Sequence, residues 1–269
     1  MRIIITGGSG LIGRALVQEF ASQNHEVIVL SRSPHRVTGL PPAARAVAWD
    51  GVTAKGWGEL ADGADVIINL AGASLAGENL LGIRWTKKRK QAIRNSRVNA
   101  GIAVLDAITA ARNKPRLLLQ ASAVGFYGPL GGQPVTEDQP KGAGFLADVC
   151  QAWEESTAEA EKLGVRRIAM RLGVVLARGN PVLDFLALPF RIFAGGPLGR
   201  GVQYFPWVHI DDVVGAVRLF IHDESCKGVY NLTAPGAVDN KALAKTLGRV
   251  LRRPAFIRVP AFVIRLALG

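Results

Sequence analysis

Thr6-Gly7-Gly8-Ser9-Gly10-Leu11-Ile12-Gly13 sets glycines at positions 7, 10 and 13, behind a β-branched run, Arg2 to Thr6, and ahead of Leu11 to Phe20, whose apolar residues recur at helical spacing. Strand, glycine turn and helix in that order form a phosphate cradle. The glycines allow a tight turn and close backbone approach, while the free N–H groups and positive end of the helix face a pyrophosphate. A dinucleotide is the expected ligand. About 20 residues further on, an NAD site offers an acid to the ribose 2′-hydroxyl, whereas an NADP site offers arginine to the 2′-phosphate. Here the chain reads Leu30-Ser31-Arg32-Ser33, with no acid. Arg32 can pair with a phosphate oxygen and stack on adenine, and Ser31 and Ser33 can add hydrogen bonds, so NADP(H) is the expected cofactor. Two other readings stay open: Arg32 as a solvated residue at a strand end, and Arg36 as the phosphate's partner.

A second concentration of charge lies between Glu78 and Asp106, where no acid occurs but Arg84, Lys87, Lys88, Arg89, Lys90, Arg94 and Arg97 do. Lys90, Arg94 and Arg97 are four and three residues apart and share one helix face, which could meet an anionic substrate group; a solvated basic face is the plainer reading. Lys87-Lys-Arg-Lys90 lacks the aromatic interleaving and recognisable module of a nucleic-acid binder, so no nucleic-acid partner is expected.

The elements that would carry these residues are strands alternating with helices. Val27 to Leu30, Val66 to Leu70 and Leu117 to Leu119 are unalternated apolar runs, as in strands buried on both faces, and Arg97 to Ala111 and Val149 to Leu163 are helix-length stretches. Arg167 to Leu176 reads as a further central strand, Val229 to Leu232 as another, and Asn240 to Leu251 as a helix capped at Asp239 or Asn240. This pattern predicts an α/β fold, a doubly wound parallel sheet with a smaller C-terminal substrate-binding lobe. Residues 178 to 206 read as loop, rich in Gly, Pro and Phe. The expected division is a Rossmann domain over 1–176 and a mainly substrate-binding lobe over 177–269, with 206–222 returning to the core.

The composition agrees with an enzyme-sized globular chain. It has 269 residues, 49% hydrophobic and 20% charged, which excludes an unfolded chain. Two cysteines, Cys150 and Cys226, are too few for a structural zinc or iron–sulfur site, and no metal is expected. No secretory pattern opens the chain and no apolar run approaches a membrane span, so a cytoplasmic protein without a membrane partner is expected. A net charge of +12 favours anionic partners.

Thr6 to Gly13, Asn69-Leu70-Ala71-Gly72, Ser122-Ala-Val-Gly-Phe-Tyr-Gly128 and Val208-His-Ile-Asp-Asp-Val213, in that order, resemble the extended short-chain dehydrogenase/reductases. The strings RWTKKRKQAIRNSRV, FLADVCQAWE, GGPLGRG and FPWVHIDD are similar to an atypical group labelled epimerase family protein, known for lacking the usual catalytic residues. The resemblance implies that Asn69 to Gly72 line the cofactor, that Val174 and Val175 pack on the nicotinamide, and that Ser122 ends the strand before the reacting centre. It also implies that the chain continues past Gly269, which falls within an apolar helix-like stretch.

Where the superfamily places Tyr-x-x-x-Lys, residues 144–155 read GFLADVCQAWEE, with neither Tyr nor Lys; Tyr127 belongs to the Tyr-Gly element instead. The usual pair lowers a phenol's pKa so that it can relay a proton. Its absence leaves Ser122 as hydrogen-bond donor and Glu154 or Cys150 as relays; the latter two are four residues apart, hence on one helix face. Cys150 as a small core residue and Glu154 as a structural carboxylate are the alternatives. Matched to the superfamily's helix pattern Asn-Val-x-Gly-Thr, Arg97-Val-Asn-Ala-Gly puts Arg97 in place of the Asn, where it can clamp an anion. The expected function is therefore an NADP(H)-dependent oxidoreductase or epimerase for a small, anionic or nucleotide-linked substrate; the alternative is a non-catalytic NADP(H)-binding redox sensor or interaction module. His209 reads as structural, held by a neighbouring carboxylate.

Overall fold

The computed structural model describes residues 1–75 and 85–258. Seven parallel strands form the central sheet: β1 (Arg2–Thr6), β2 (Glu26–Ser31), β3 (Ala44–Ala48), β4 (Val66–Asn69), β5 (Leu117–Ala123), β6 (Arg166–Leu172) and, from much later in the chain, β10 (Gly228–Leu232). Their spatial order is β10-β6-β5-β4-β1-β2-β3, so the direction of winding reverses between β1 and β4. Ligands of doubly wound sheets bind at that reversal, beyond the strands' carboxyl ends.

Alternation along each strand explains the two-layered core. Ile3, Ile5, Val27, Val29, Val66 and Ile68 pack on one side, against α1 (Leu11–Ser22) and α5 (Ile210–His222). Ile4, Ile28, Ile67 and Leu118 pack on the other, against α2 (Lys87–Ala110). All ten strand residues are fully buried, which is why no polar alternation is visible in the sequence. Next to α2 runs α3 (Phe145–Glu155), which ends earlier than its apolar pattern suggests; residues 158–163 form a 3-10 helix instead.

Two further features differ from the sequence reading. Gly173 divides the run 167–176: β6 stays in the sheet, while β7 (Val174–Leu176) pairs with β9 (Trp207–His209) in a separate ribbon. Within 178–206, read as loop, lies α4 (Pro181–Arg191), capped by Asn180 and started by Pro181. Proline at the first helical position lacks only an N–H that would have been unpaired anyway, so the loop-like composition hid a helix start. α4 packs on α6 (Asn240–Leu251), beside the antiparallel ribbon of β8 (Tyr204–Phe205) and β11 (Val238–Asp239). These elements form the smaller lobe, to which α5 and β10 do not belong. The stretch from Arg265 to Gly269, and Arg84 of the basic segment, lie outside the described residues.

Candidate active site

The glycine turn is dictated by contact. Gly7 has φ +68°, and a Cβ there would lie 3.0 Å from the carbonyl carbon of Leu70. A Cβ on Gly13 would fall 2.4 Å from both the Gly7 oxygen and the Gly8 Cα, so only glycine lets α1 close on the turn. Gly8 is tight against Val29, at 2.8 Å for the same test. Gly10 caps α1 without a side-chain acceptor, and the first turn has no acid. The first N–H groups of α1, including those of Leu11 and Ile12, therefore await an external acceptor, as a pyrophosphate would be.

This turn opens on a cleft of about 700 Å³ lined by Gly7, Ser9, Gly10, Ser31, Arg32, Ser33, Arg36, Leu70, Ala71 and Gly72, with Arg14, Trp49, Asp50 and Asn99. Arg32 and Arg36 are both exposed within it, and the Arg32 stem lies beside Gly51. The one carboxylate lining it, Asp50, is turned to its own loop: it accepts from Val52 N, Thr53 N and the Thr53 hydroxyl, which hold its pKa below the ordinary value. A cradle of glycine backbone, free helix N–H groups and two arginines in place of an acid fits an NADP(H)-type dinucleotide.

Thr6 and Asn69 act behind this surface. Both are fully buried; the Thr6 hydroxyl donates to Asn69 Oδ1 (2.6 Å) and accepts from Leu70 N (3.0 Å) and Ala71 N (3.1 Å). Asn69 Nδ2 donates onward to Gln120 Oε1 (2.9 Å), joining the ends of β1 and β4 to the middle of β5. Their side chains thus fix the 70–72 loop, and Gln120 is a partner that the sequence reading did not single out. Val174 and Val175 sit in the β7–β9 ribbon, outside the lining of this cleft.

Two strands from the glycine turn, Ser122 is the next-to-last residue of β5, buried, and its Oγ donates to Glu154 Oε1 at 2.5 Å. Glu154 is fixed by Arg171, opposite Ser122 in the β5–β6 register. Arg171 Nε and Nη2 reach the two carboxylate oxygens at 2.9 and 3.0 Å, and the side chains are 5% and 12% exposed. Arg171 Nη1 also donates to the Tyr127 hydroxyl (2.9 Å), which in turn donates to Asn231 Oδ1 (2.7 Å). The guanidinium lies 3.5 Å from the centre of the Phe126 ring. Burial opposes its charge, but the Glu154 and Tyr127 hydrogen bonds prevail and raise its pKa. Tyr127 is therefore a buried strut.

Cys150 lies on the same face of α3. Burial first, and the Glu154 charge in addition, push its thiol upward, against the opposing pull of Arg97, the Ala123 backbone and Ser122. The upward shift favours the neutral form of the thiol. Arg97 approaches from α2. Its guanidinium lies over the Trp153 ring at 4.9 Å, and a Cβ on Gly72 would come within 3.0 Å of its Cζ. Burial lowers its pKa. Lys90 turns to Phe145, 5.5 Å from the ring centre, while Lys87, Lys88 and Arg94 stay exposed. His209 caps α5 by accepting from Asp211 N (3.3 Å), with the Asp211 carboxylate equally near. Among the described residues, no group of three His, Cys, Asp or Glu side chains could hold a metal, and no helix is long and apolar enough to cross a membrane.

Comparison with known proteins agrees with this geometry. Residues 3–233 match the model of the NAD dependent epimerase/dehydratase family. The chain is 36% identical over 271 residues to the chloroplastic homolog of epimerase family protein SDR39U1 from Arabidopsis thaliana, covering 100% of this chain and 76% of the relative. The crystal structure of human epimerase family protein SDR39U1 (isoform 2) with NADPH superposes with a TM-score of 0.85 at 33% identity, covering 100% of this chain and 86% of that one. The UDP-glucuronic acid 4-epimerase of Bacillus cereus shares the fold at 19% identity, with a TM-score of 0.79 over 96% of this chain and 85% of its own.

Proposed function

The chain belongs to the NAD dependent epimerase/dehydratase family, and from that premise we propose that it is an NADP(H)-dependent oxidoreductase or epimerase. Its substrate is a small molecule, anionic or nucleotide-linked. One observation carries this reading: a serine hydroxyl at the carboxyl edge of the sheet is hydrogen-bonded to a carboxylate that a buried arginine holds in place. The human relative, crystallised with NADPH, supports the cofactor.

The Gly7 to Gly13 backbone, with Ser9 and the first turn of α1, holds the pyrophosphate. Arg32, flanked by Ser31 and Ser33 and seconded by Arg36, holds the 2′-phosphate. Leu70 and Ala71, pinned by the Thr6 hydroxyl, and Gly72 wall the opposite side; Val174 and Val175, outside that cleft in the β7–β9 ribbon, would back the nicotinamide only where the ring extends past it. Bound NADP(H) supplies or takes a hydride. Ser122 Oγ orients the reacting oxygen; in the oxidising direction it accepts the substrate's hydroxyl proton as its own passes to Glu154 Oε1, and the reverse transfer serves reduction. Arg97 clamps an anionic substituent. Residues 1–176, with α5 and β10, form the cofactor unit, and the smaller lobe within 177–269 closes the substrate side. A cytoplasmic location belongs to the same reading.

A second reading, a non-catalytic NADP(H)-binding redox sensor or interaction module, is favoured by one feature: both Glu154 oxygens are already bound by Arg171. NADPH oxidation in the presence of small carbonyl compounds separates the two. The enzyme reading expects turnover that falls about 100-fold or more in Ser122→Ala and Glu154→Gln with NADPH binding retained. Turnover unchanged in both variants would overturn the relay, and NADPH binding without turnover across the panel would favour the sensor.

A further inference from the structure

Three arginines line the cofactor cleft, and the proposed function uses two of them. Arg32 follows β2 and Arg36 closes the 3-10 turn after it; the third, Arg14, stands in the first turn of α1. Its Nε–H donates to Ser9 O at 2.9 Å, so the side chain runs back along the helix onto the glycine turn, and Nη1 and Nη2 donate to no acceptor among the described residues. Two contacts fix the side of the cleft on which it stands. The turn bridges two strands: Gly7 abuts Leu70, just after β4, whereas Gly8, next to Ser9, abuts Val29 of β2. Four residues beyond Arg14 on the same face of α1, Gln18 donates through Nε2 to Gly39 O at 3.1 Å, in the segment that follows Arg36. Arg14 therefore belongs to the β2 side, with Arg32 and Arg36. Among the described residues no carboxylate lies within ion-pair distance of any of the three. Asp50, the one acid lining the cleft, is spent on its own loop.

From this placement we propose that Arg14 is a third arm of the 2′-phosphate site, gripping the phosphate from α1 while Arg32 and Arg36 grip it from β2 and the turn beyond, and that it sets the preference for NADP(H) over NAD(H) together with them. The pyrophosphate does not call for this cation. Backbone N–H groups of the glycine turn and of α1 meet its oxygens, and the positive end of the helix adds to them. The 2′-phosphate is a different demand: it carries about two negative charges at neutral pH and three acceptor oxygens, where NAD(H) has an uncharged hydroxyl. Guanidiniums from three separate elements match those oxygens, and each brings paired donors. All three arginines are exposed, so none burdens the fold. Three like charges around one cleft with no available acid repel one another, and an entering dianion relieves that repulsion. The inference rests on the proposed function, which puts the 2′-phosphate at Arg32.

The test is titration of the wild type, Arg14→Gln and Arg14→Lys with NADPH and with NADH, followed by nicotinamide fluorescence, and competition by 2′,5′-ADP and 5′-AMP, which differ only in the 2′-phosphate. Glutamine keeps the helix propensity and removes the charge; lysine keeps the charge and loses the fork. Arg14→Gln should weaken NADPH and 2′,5′-ADP about 5- to 30-fold and leave NADH and 5′-AMP within about twofold of the wild type, with Arg14→Lys between the two. Equal weakening of NADPH and NADH overturns the proposal, by moving Arg14 to the pyrophosphate. Unchanged NADPH affinity in Arg14→Gln overturns it as well, by making Arg14 a solvated cation. NADPH binding that depends on Arg32 and not on Arg14 sinks this inference alone; failure of the wild type to bind NADPH sinks the proposed function, and this inference with it.

Discussion

Replacing Arg171 by methionine leaves the Glu154 carboxylate, 12% exposed, with the Ser122 hydroxyl as its side-chain partner and no cation beside it. Breaking a buried pair from one side costs about 3–5 kcal/mol. The Tyr127 hydroxyl also loses the guanidinium that donates to it, and Phe126 loses the cation stacked on it. For a domain of this size about 1 kcal/mol corresponds to roughly 2–4 °C, so Arg171→Met should lower Tm by about 6 to 20 °C. Glu154→Gln keeps the volume but leaves Arg171 uncompensated, and should cost a similar amount. The double variant removes both charges together and should be less destabilised than the sum of the singles by about 1–3 kcal/mol. Urea unfolding of the four proteins, with midpoints and slopes fitted together, completes the cycle. A coupling near zero would refute the claim that Arg171 holds Glu154 for Ser122, since independent residues add.

Gly13→Ala forces a methyl into backbone atoms 2.4 Å away and should cost about 1–3 kcal/mol, with a large loss of NADPH affinity, while Gly215→Ala, in α5 with no atom within 4 Å, should stabilise by about 0.5–1 kcal/mol; thermal melts and titrations of the pair check both. The raised pKa of Cys150 means that the unfolded chain loses this proton first. Its stabilising contribution is intact below about pH 8.5 and fades as pH rises towards the folded-state value, so Cys150→Ala should flatten the alkaline limb of urea midpoints against pH; an unchanged limb would contradict the assignment.

The parts legible in the sequence were those where a local rule and the tertiary demand coincide. Strands β1, β2, β4 and β5 sit in the sheet interior, so their apolar runs needed no context. The glycine turn was readable because Gly13 is fixed by contacts within its own turn. Edge strand β3, Ala44–Ala48, escaped notice: ARAVA is only partly buried and carries neither an apolar run nor clean alternation. Helix α4 was hidden by Pro181 and Pro189. Arg171 went unremarked although its signal was present, for an arginine inside RIAMRL, a strand otherwise buried, must be neutralised by something. Gln120 in LLLQASA is the same signal in neutral form, and it marks the Thr6–Asn69 ladder. What sequence could not supply was the partner: Glu154 lies 17 residues from Arg171 and 32 from Ser122, and only the packing of α3 on β5 brings the three together.

The central claim is that the cleft beside the glycine turn takes NADP(H), with Arg32 on the 2′-phosphate. Titration of the protein with NADPH and with NADH, followed by nicotinamide fluorescence, tests it most directly, with Arg32→Glu as the paired variant. NADPH should bind about 10- to 100-fold tighter than NADH, and Arg32→Glu should abolish that preference. Equal affinity for both nucleotides, or a preference for NADPH that survives Arg32→Glu, would contradict it.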